Sequence, residues 1–330
     1  MSILRTFADE LDLWEIDGFS IQILAGILSD PSKYYRSFEI PKRRNGIRKI
    51  DAPYPLLTRI QQALNQGLRI RCKVSEHSYA YFRGRSAIMH ASAHLGCREL
   101  LTVDIENFFG SITRQQIHQV LLSNDIDSDF AHIASLVSTL RGALPQGAPT
   151  SPLLSNVVFH KLDLRFSKLA DRLGIIYTRY ADDLAFSGKS IPRSLINLID
   201  KILASQGYRL NPQKTRLKVD GARKIVTGVS ISGGVPKAPR EFVRSVRAEV
   251  HYVEKNLDRF STLTHVDPFV YERILGKLNY WLQIDPDNIY ALRKKNLISE
   301  AHQRFLNLSS NFNLESCIDL DEDQPYATAI

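Results

Sequence analysis

Three aspartates stand where metal-assisted chemistry could be built. Asp104 ends the apolar part of ELLTVDIENFF (99–109), a run rich in strand-forming residues. Asp182 and Asp183 fall in a tight acidic turn between two apolar segments of IIYTRYADDLAFSG (175–188). Two carboxylates at a hairpin tip, joined by a third from a neighbouring strand, would crowd negative charge so that at least one keeps its proton. Hard divalent cations resolve that repulsion, because Mg²⁺ prefers carboxylate oxygens and leaves room for water and phosphate ligands. Two such ions, ~3.5–4 Å apart, are the recurrent device for in-line attack of an oxygen on phosphorus. An isolated Asp-Asp pair is ordinarily a solvated turn. Here the pair lies between apolar strands, downstream of a strand ending in Asp, with a Pro-Gln-Gly loop in between, and that conjunction favours a metal site.

The surrounding pattern predicts the elements that must position these acids. Residues 1–38 read as helical, closed by Ser29-Asp30-Pro31. FEIPKRRNGIRKIDAP reads as two short strands about Asn45-Gly46, residues that tolerate positive φ. LLTRIQQALNQGLRI (56–70) has helical period, with Leu56, Ile60, Leu64 and Leu68 on one face. A helical region follows the first acidic strand to about residue 140, and LPQGAPTSPLLSNVVFHKLDLRF reads as a loop entering a helix. SLINLIDKILASQG reads as an amphipathic helix capped by Gly207. RKIVTGVSISGGVPKAP reads as a hairpin turning at Gly233-Gly234, and residues from about 240 to 310 are helical again. The closing ESCIDLDEDQPYATAI is acidic and reads as a frayed tail.

Composition narrows the class. The 330 residues are 44% hydrophobic and 24% charged, which excludes wholesale disorder and a collagen-like fibre. A net charge of +8 favours a polyanionic partner, since Lys and Arg displace counterions from phosphates. Cys72, Cys97 and Cys317 are far apart and form no Cys-x-x-Cys pair, so no zinc site is expected and the thiols suit a reduced, cytoplasmic setting. No apolar run approaches the ~20 residues that span a bilayer. The opening MSILRTFADELDLWEID carries acids where an export signal is basic and apolar, so neither export nor a membrane partner is expected.

Tyr180-Ala181-Asp182-Asp183, LTVDIENFF and LPQGAPTSPLLSN, in that spacing, resemble the palm motifs of reverse transcriptases. The resemblance covers nearly the whole chain and is nearest to the bacterial retron subgroup. SYAYFRGRSAIMHASAHLG, NPQKT and IVTGVSIS support it. Retron enzymes usually carry Asn-Ala-x-x-His before the first palm strand; this chain has His90-Ala91-Ser92-Ala93-His94. The resemblance implies an α+β fold, a right-hand polymerase with fingers, a ferredoxin-like palm with an antiparallel sheet, and a helical thumb. Its implied boundaries are an N-terminal helical segment (1–38), fingers (39–98), palm (99–235, with a finger insertion at about 115–150), thumb (236–312) and acidic tail (313–330).

The same resemblance implies roles. Asp104 and Asp182 would bind two Mg²⁺, supported by Asp183 and the Ile105 carbonyl. Phe109 would be the steric gate that rejects a 2′-hydroxyl, the alternative being a core Phe beside Phe108. Gln146 would line the nucleotide pocket. Arg48, with Lys42 and Arg43 or Arg44, would hold the triphosphate, unless this is an ordinary basic hairpin. Lys214 would protonate pyrophosphate, unless it is simply solvated. His94 and the Val226-Thr227-Gly228 element would meet nucleic acid. His90 and His94, four apart, could instead hold a transition metal or make ordinary hydrogen bonds. Arg240, Arg244 and Arg247 recur at helical spacing beside Val243, Val246 and Val250, as a thumb helix on a duplex or a solvated basic face. Tyr280-Trp281 fit a core better than base stacking.

The implied reaction is templated extension of a primer by deoxynucleoside triphosphates, starting from a structured non-coding RNA and leaving RNA-linked cDNA that guards a toxin or effector protein in anti-phage defence. Rival readings are a defence-associated reverse transcriptase making a different cDNA, a palm-fold RNA-binding scaffold that does not polymerise, and an RNA-dependent RNA polymerase.

Overall fold

In the computed structural model, which describes residues 2–42, 46–256, 267 and 269–310, the chain divides into two compact units, Met1–Val235 and Pro236–Ile330. The first begins with helices α1 (Ser2–Glu10) and α2 (Ile21–Ser29). The Ser20 side chain caps α2 by accepting from the Ile23 N–H. The helical segment expected over 1–38 is therefore two short helices, and it stops at Tyr34. Asp30-Pro31 starts a 3₁₀ turn, and Tyr35 already opens a strand. Strands β1 (Tyr35–Pro41) and β2 (Ile47–Pro53) pair antiparallel, from Tyr35↔Pro53 to Pro41↔Ile47. Helix α3 (Pro55–Arg71) starts on Pro55, whose missing N–H costs nothing in a first turn, and buries Leu57, Ile60, Leu64 and Leu68. The short α4 (Ala87–Ser92) is capped by Ser86.

The central sheet follows. Strand β3 (Glu99–Asp104) leads into α5 (Arg114–Leu122), α6 (Ser128–Val137) and the long α7 (Ser151–Leu173). Thr113 and Gln116 form a reciprocal capping box on α5, and Gly174 ends α7 in a left-handed conformation. Strands β4 (Ile176–Tyr180) and β5 (Asp183–Gly188), helix α8 (Leu195–Ala204) and strand β6 (Arg216–Lys218) complete an antiparallel sheet of order β4-β5-β3-β6. The order of strands and helices is the ferredoxin-like β-α-β-β-α-β arrangement, with the helices between β3 and β4 as its first crossover. Helix α8 is capped at Ser205, with Gly207 lying two residues beyond the cap.

Next comes a small hairpin of β7 (Ile225–Val226) and β8 (Val229–Ser230), pairing Val226 with Val229. It turns at Thr227-Gly228 and not at Gly233-Gly234. Both loop residues have positive φ, 43° and 80°, the signs of a type I′ turn, whose twist suits a two-residue hairpin. The Gly-Gly pair lies past the strand, and the extra flexibility of glycine there is not needed to reverse the chain. The core of this unit joins Leu101, Val103, Leu154, Phe159, Phe166, Leu184 and Phe186 to the N-terminal helices.

The second unit holds α9 (Arg240–Lys255), α10 (Val270–Ile284) and α11 (Ile289–Ser310). Val246, Val250 and Val253 of α9 pack with Tyr271, Ile274, Leu278 and Trp281 of α10 and with Ala291 and Ile298 of α11. Trp281 is core, while Tyr280 sits edge-on to Phe242. Arg43, Arg44, Asn45, Cys317 and the acidic tail lie outside the described residues. No described helix is long and apolar enough to cross a membrane.

Candidate active site

The sheet register brings the acids together. Asp104, last residue of β3, pairs with Asp183, first residue of β5, and facing residues of antiparallel strands have Cα atoms roughly 4.5–5.5 Å apart. Asp182 occupies the two-residue loop that joins β4 to β5, because Tyr180 pairs with Asp183. Its carbonyl accepts from the Ile105 N–H at 3.1 Å, which fastens the chain after β3 to the acidic turn. The loop's other residue, Ala181, has φ +55°. A left-handed conformation at a residue bearing a Cβ costs on the order of 1 kcal/mol or more and persists only where neighbours enforce it.

Those neighbours form a buried polar network that the sequence reading missed. Arg179 on β4 is completely buried. It grips Asp163 of α7 through two hydrogen bonds of 2.8 and 2.7 Å. It also donates to the Ala181 carbonyl and to Asn156 Oδ1, both at 3.1 Å, and lies over the Phe159 ring. Tyr177 donates to Asp163 and Ser78 donates to Asn156. A charge pair out of water is tolerable only when its donors and acceptors find partners, and here four Arg179 N–H groups and both Asp163 oxygens do. The signal was present: an Arg inside the apolar strand IIYTRY and an Asp on the buried face of α7.

Lys214 reaches the same acids. Its ammonium donates to Asp104 Oδ2 at 2.8 Å, and Asn211 Nδ2 donates to Asp104 Oδ1 at 3.1 Å. The Asn211 N–H also meets the Asp104 carbonyl at 2.8 Å, so NPQKT docks on the end of β3. The Lys214–Asp104 bond and the neighbouring carboxylates raise the Lys214 pKa and keep it protonated. Burial raises Asp182, with Asp104 adding like-charge repulsion. Asp183 is pushed up to about 7, first by the protein around it and then by Asp182 and Asp104. Its side chain still reaches solvent, which screens part of this effect.

The donor set suits a hard divalent cation: three carboxylates, of which Asp182 and Asp183 are held back from ionising by burial and by the neighbouring acids. Among the described residues, however, no three acidic, His or Cys side chains are gathered closely enough to hold a metal as they stand. Lys214 takes the place of a cation on Asp104. Asp104, Asp182 and Asp183 would have to turn onto an arriving ion.

The remaining predicted residues divide. Phe109 is half-buried, its ring 5.5 Å from Phe108 and 6.3 Å from Tyr81, and Phe108 is the one in the core. The Gln146 carbonyl accepts from the Asp51 N–H of β2 at 2.9 Å. Gly147, at φ +130°, lies so close to β2 that a Cβ would meet Ile50 at 2.9 Å and the Asp51 carbonyl at 3.0 Å. Only glycine lets the Pro-Gln-Gly loop seat on the strand that carries Arg48. Arg48 and Lys42 are exposed, and the Arg48 charge acts on Asp182 and Tyr81. Arg240, Arg244 and Arg247 are exposed on α9, Arg247 lying over the rings of Tyr290 and Trp281.

His94 corrects the sequence reading. It is fully buried, with Nδ1 2.6 Å from the Ser187 hydroxyl and Nε2 2.6 Å from the Thr178 hydroxyl. Both ring nitrogens are used inside the protein, so it ties β4 to β5 instead of facing nucleic acid. Val226 is likewise buried. Thr227 donates to the Ala87 carbonyl at 3.0 Å and pairs with His90 Nδ1 at 3.3 Å, binding the small hairpin to α4. Gly228 is exposed at the turn.

Comparison with known proteins agrees with this geometry. Residues 40–252 match the model of a family described as reverse transcriptase (RNA-dependent DNA polymerase). The chain belongs to the reverse transcriptase family. It is 34% identical over 261 residues to the retron Mx162 reverse transcriptase of Myxococcus xanthus, covering 68% of this chain and 54% of the relative. It is 30% identical to the retron Mx65 reverse transcriptase of the same organism (80% and 64% covered). It is 28% identical to the retron Ec86 reverse transcriptase of Escherichia coli (73% and 77% covered). The chain thus spans little more than half of one Myxococcus relative and just under two thirds of the other. In the sheet β4-β5-β3-β6, Asp104 and Asp183 stand at strand ends and Asp182 in the turn beside them.

Proposed function

We propose that the chain is an RNA-directed DNA polymerase of the retron type. The primer's terminal hydroxyl loses its proton and attacks the α-phosphorus of a deoxynucleoside triphosphate; the bond to the β-phosphate oxygen breaks and pyrophosphate leaves. The observation that carries this reading is the register that sets Asp104 against Asp183, with Asp182 in the adjoining turn. Two Mg²⁺, held by Asp104 and Asp182 with Asp183 and the Ile105 carbonyl in support, would neutralise charge on the attacking and leaving oxygens. Lys214, kept protonated by Asp104, is suited to give a proton to pyrophosphate. Arg48 and Lys42 reach the triphosphate. Phe109 lies under the sugar and excludes a 2′-hydroxyl, and Gln146 lines the pocket beside β2. Arg240, Arg244 and Arg247 track the template–primer backbone, whose A-form is recognised by shape and phosphate contacts. The template and primer are a structured non-coding RNA and its growing cDNA, in a cytoplasmic anti-phage setting with a toxin or effector protein. Similarity to retron enzymes supports that layer. His90, where retron enzymes usually have Asn, favours as second reading a defence-associated reverse transcriptase making another cDNA.

Primer extension on an RNA template with Mg²⁺ and deoxynucleotides tests the reaction. Asp182→Asn and Asp183→Asn should each abolish it; persistence in the double variant overturns the mechanism. Phe109→Ala should admit ribonucleotides, and an unchanged preference would favour an RNA-dependent RNA polymerase. Sequencing co-purified nucleic acid separates the two biological readings, since a short branched RNA–DNA species marks a retron.

A further inference from the structure

Tyr81 stands apart among the residues near the acids. It is a bulky residue at φ +63°, a region that such side chains rarely occupy. The conformation is enforced. The loop before it runs beside β4, where the Tyr79 N–H donates to the Arg179 carbonyl and the Arg179 N–H to the His77 carbonyl, both at 2.8 Å. Asn156 Nδ2 holds the Ala80 carbonyl at 2.9 Å. The Arg85 guanidinium gathers the carbonyls of Ser75, Glu76 and Ser78 and lies over the Tyr79 and Phe82 rings. Tethers on this scale deliver Tyr81 to one place at a cost in backbone strain, and such strain gathers where a site needs a side chain held.

That place is beside Phe109 and within electrostatic reach of Asp182 and Arg48. Tyr81 is 41% exposed, unlike a core aromatic. It stands 6.3 Å from the Phe109 ring at an interplanar angle of 44°, so the two rings are neighbours inclined to each other and not stacked. The charges of Asp182 and Arg48 both act on its phenol, which burial pushes up to about 12 and so keeps neutral. Two apolar ring faces beside clustered acids and an arginine suit the sugar of a nucleotide whose phosphates lie toward the charges.

Building on the polymerase reading above, we propose that Tyr81 is a specificity-determining residue that forms, with Phe109, a two-ring wedge seating the sugar of the incoming nucleotide. The ring does the work and the hydroxyl is dispensable. The left-handed backbone that a glycine would adopt freely is retained for the sake of that ring.

Tyr81→Gly and Tyr81→Phe distinguish this from a structural role. Single-nucleotide incorporation on an RNA template should be measured with deoxy- and ribonucleotides, alongside thermal unfolding. Tyr81→Gly should keep or raise the Tm, because the strain is gone. It should raise KM for the deoxynucleotide roughly tenfold with kcat changed less than about threefold, and lower the preference for deoxy- over ribonucleotides. Tyr81→Phe should stay within about twofold of the parent in all three. A Gly variant matching the parent in KM and preference overturns the proposal. So does a Phe variant as impaired as the Gly variant, or a fall in Tm with kcat lost and KM unchanged. A parent protein that extends no primer removes the polymerase reading itself, and the wedge with it; an active parent with an unaltered Gly variant removes the wedge alone.

Discussion

The hairpins β4–β5 and β7–β8 both reverse over two residues, Ala181-Asp182 in one and Thr227-Gly228 in the other. The second uses a glycine and a pair of positive φ angles, conformations that suit its turn at little cost. The first places an alanine in the left-handed region and then adds two acids. It is held by what lies beneath it: Arg179 on the Ala181 carbonyl, Asp163 on Arg179, and Tyr177 and Asn156 around them. The small hairpin is held by its buried Val226 and Val229 and by the Thr227 hydroxyl, which donates to the Ala87 carbonyl of α4. The acidic turn rests on the buried Arg179–Asp163 network beneath it, whereas the small turn uses backbone conformations that suit its own Thr-Gly pair.

Arg179→Met strikes the difference hardest. It leaves the Asp163 carboxylate buried without its partner, which should cost about 3–5 kcal/mol in denaturant unfolding. Adding Asp163→Leu should recover much of that stability, because two buried charges are then replaced by apolar groups. Primer extension should stay low, since nothing then holds the Ala181 carbonyl. Full recovery of activity would show that the network only stabilises.

pH should act with opposite sign on Asp183 and on the two buried histidines. Asp183 is raised from 3.8 to about 7, so its contribution to stability is complete below about pH 4 and is lost as pH rises to 7. His90 in α4 and His94 just after it are lowered by burial from 6.5 to about 3 and about 4. Their contribution is complete above pH 6.5 and is lost as pH falls. Between pH 4 and 6.5 the two terms oppose each other and the parent's unfolding curves report their sum, so the comparison with Asp183→Asn isolates the aspartate. Asp183→Asn should remove only the loss toward high pH, and Mg²⁺ should offset that loss by binding the ionised form.

Thr227→Val removes the bond to Ala87 and leaves His90 Nδ1 unpaired and buried, for a loss of about 1–3 kcal/mol with turn conformation retained. Ala181→Gly should have the smallest effect, a gain of about 1 kcal/mol or less, because relief of strain is partly offset by the greater freedom of glycine in the unfolded chain. A clear destabilisation by Ala181→Gly would mean that the turn is not strained.

Local chemistry made much of this protein legible in its sequence. Helical period placed α3, α8 and α9; β-rich runs placed β3, β4 and β5; and the acids stood out because carboxylates rarely end apolar strands without a task. Short-range rules failed where two local signals competed, as when Gly233-Gly234 outranked Thr227-Gly228, and where a buried partner changed a residue's meaning, as with His94. What the sequence by itself determined is the set of acids and the elements that carry them, because periodicity and turn preference act over a few residues. Only the tertiary structure decided that Lys214 lies on Asp104, that Arg179 supports the acidic turn through Asp163, and that Tyr81 faces Phe109. Those contacts join residues distant in the chain, and burial alone sets which charges must be paired.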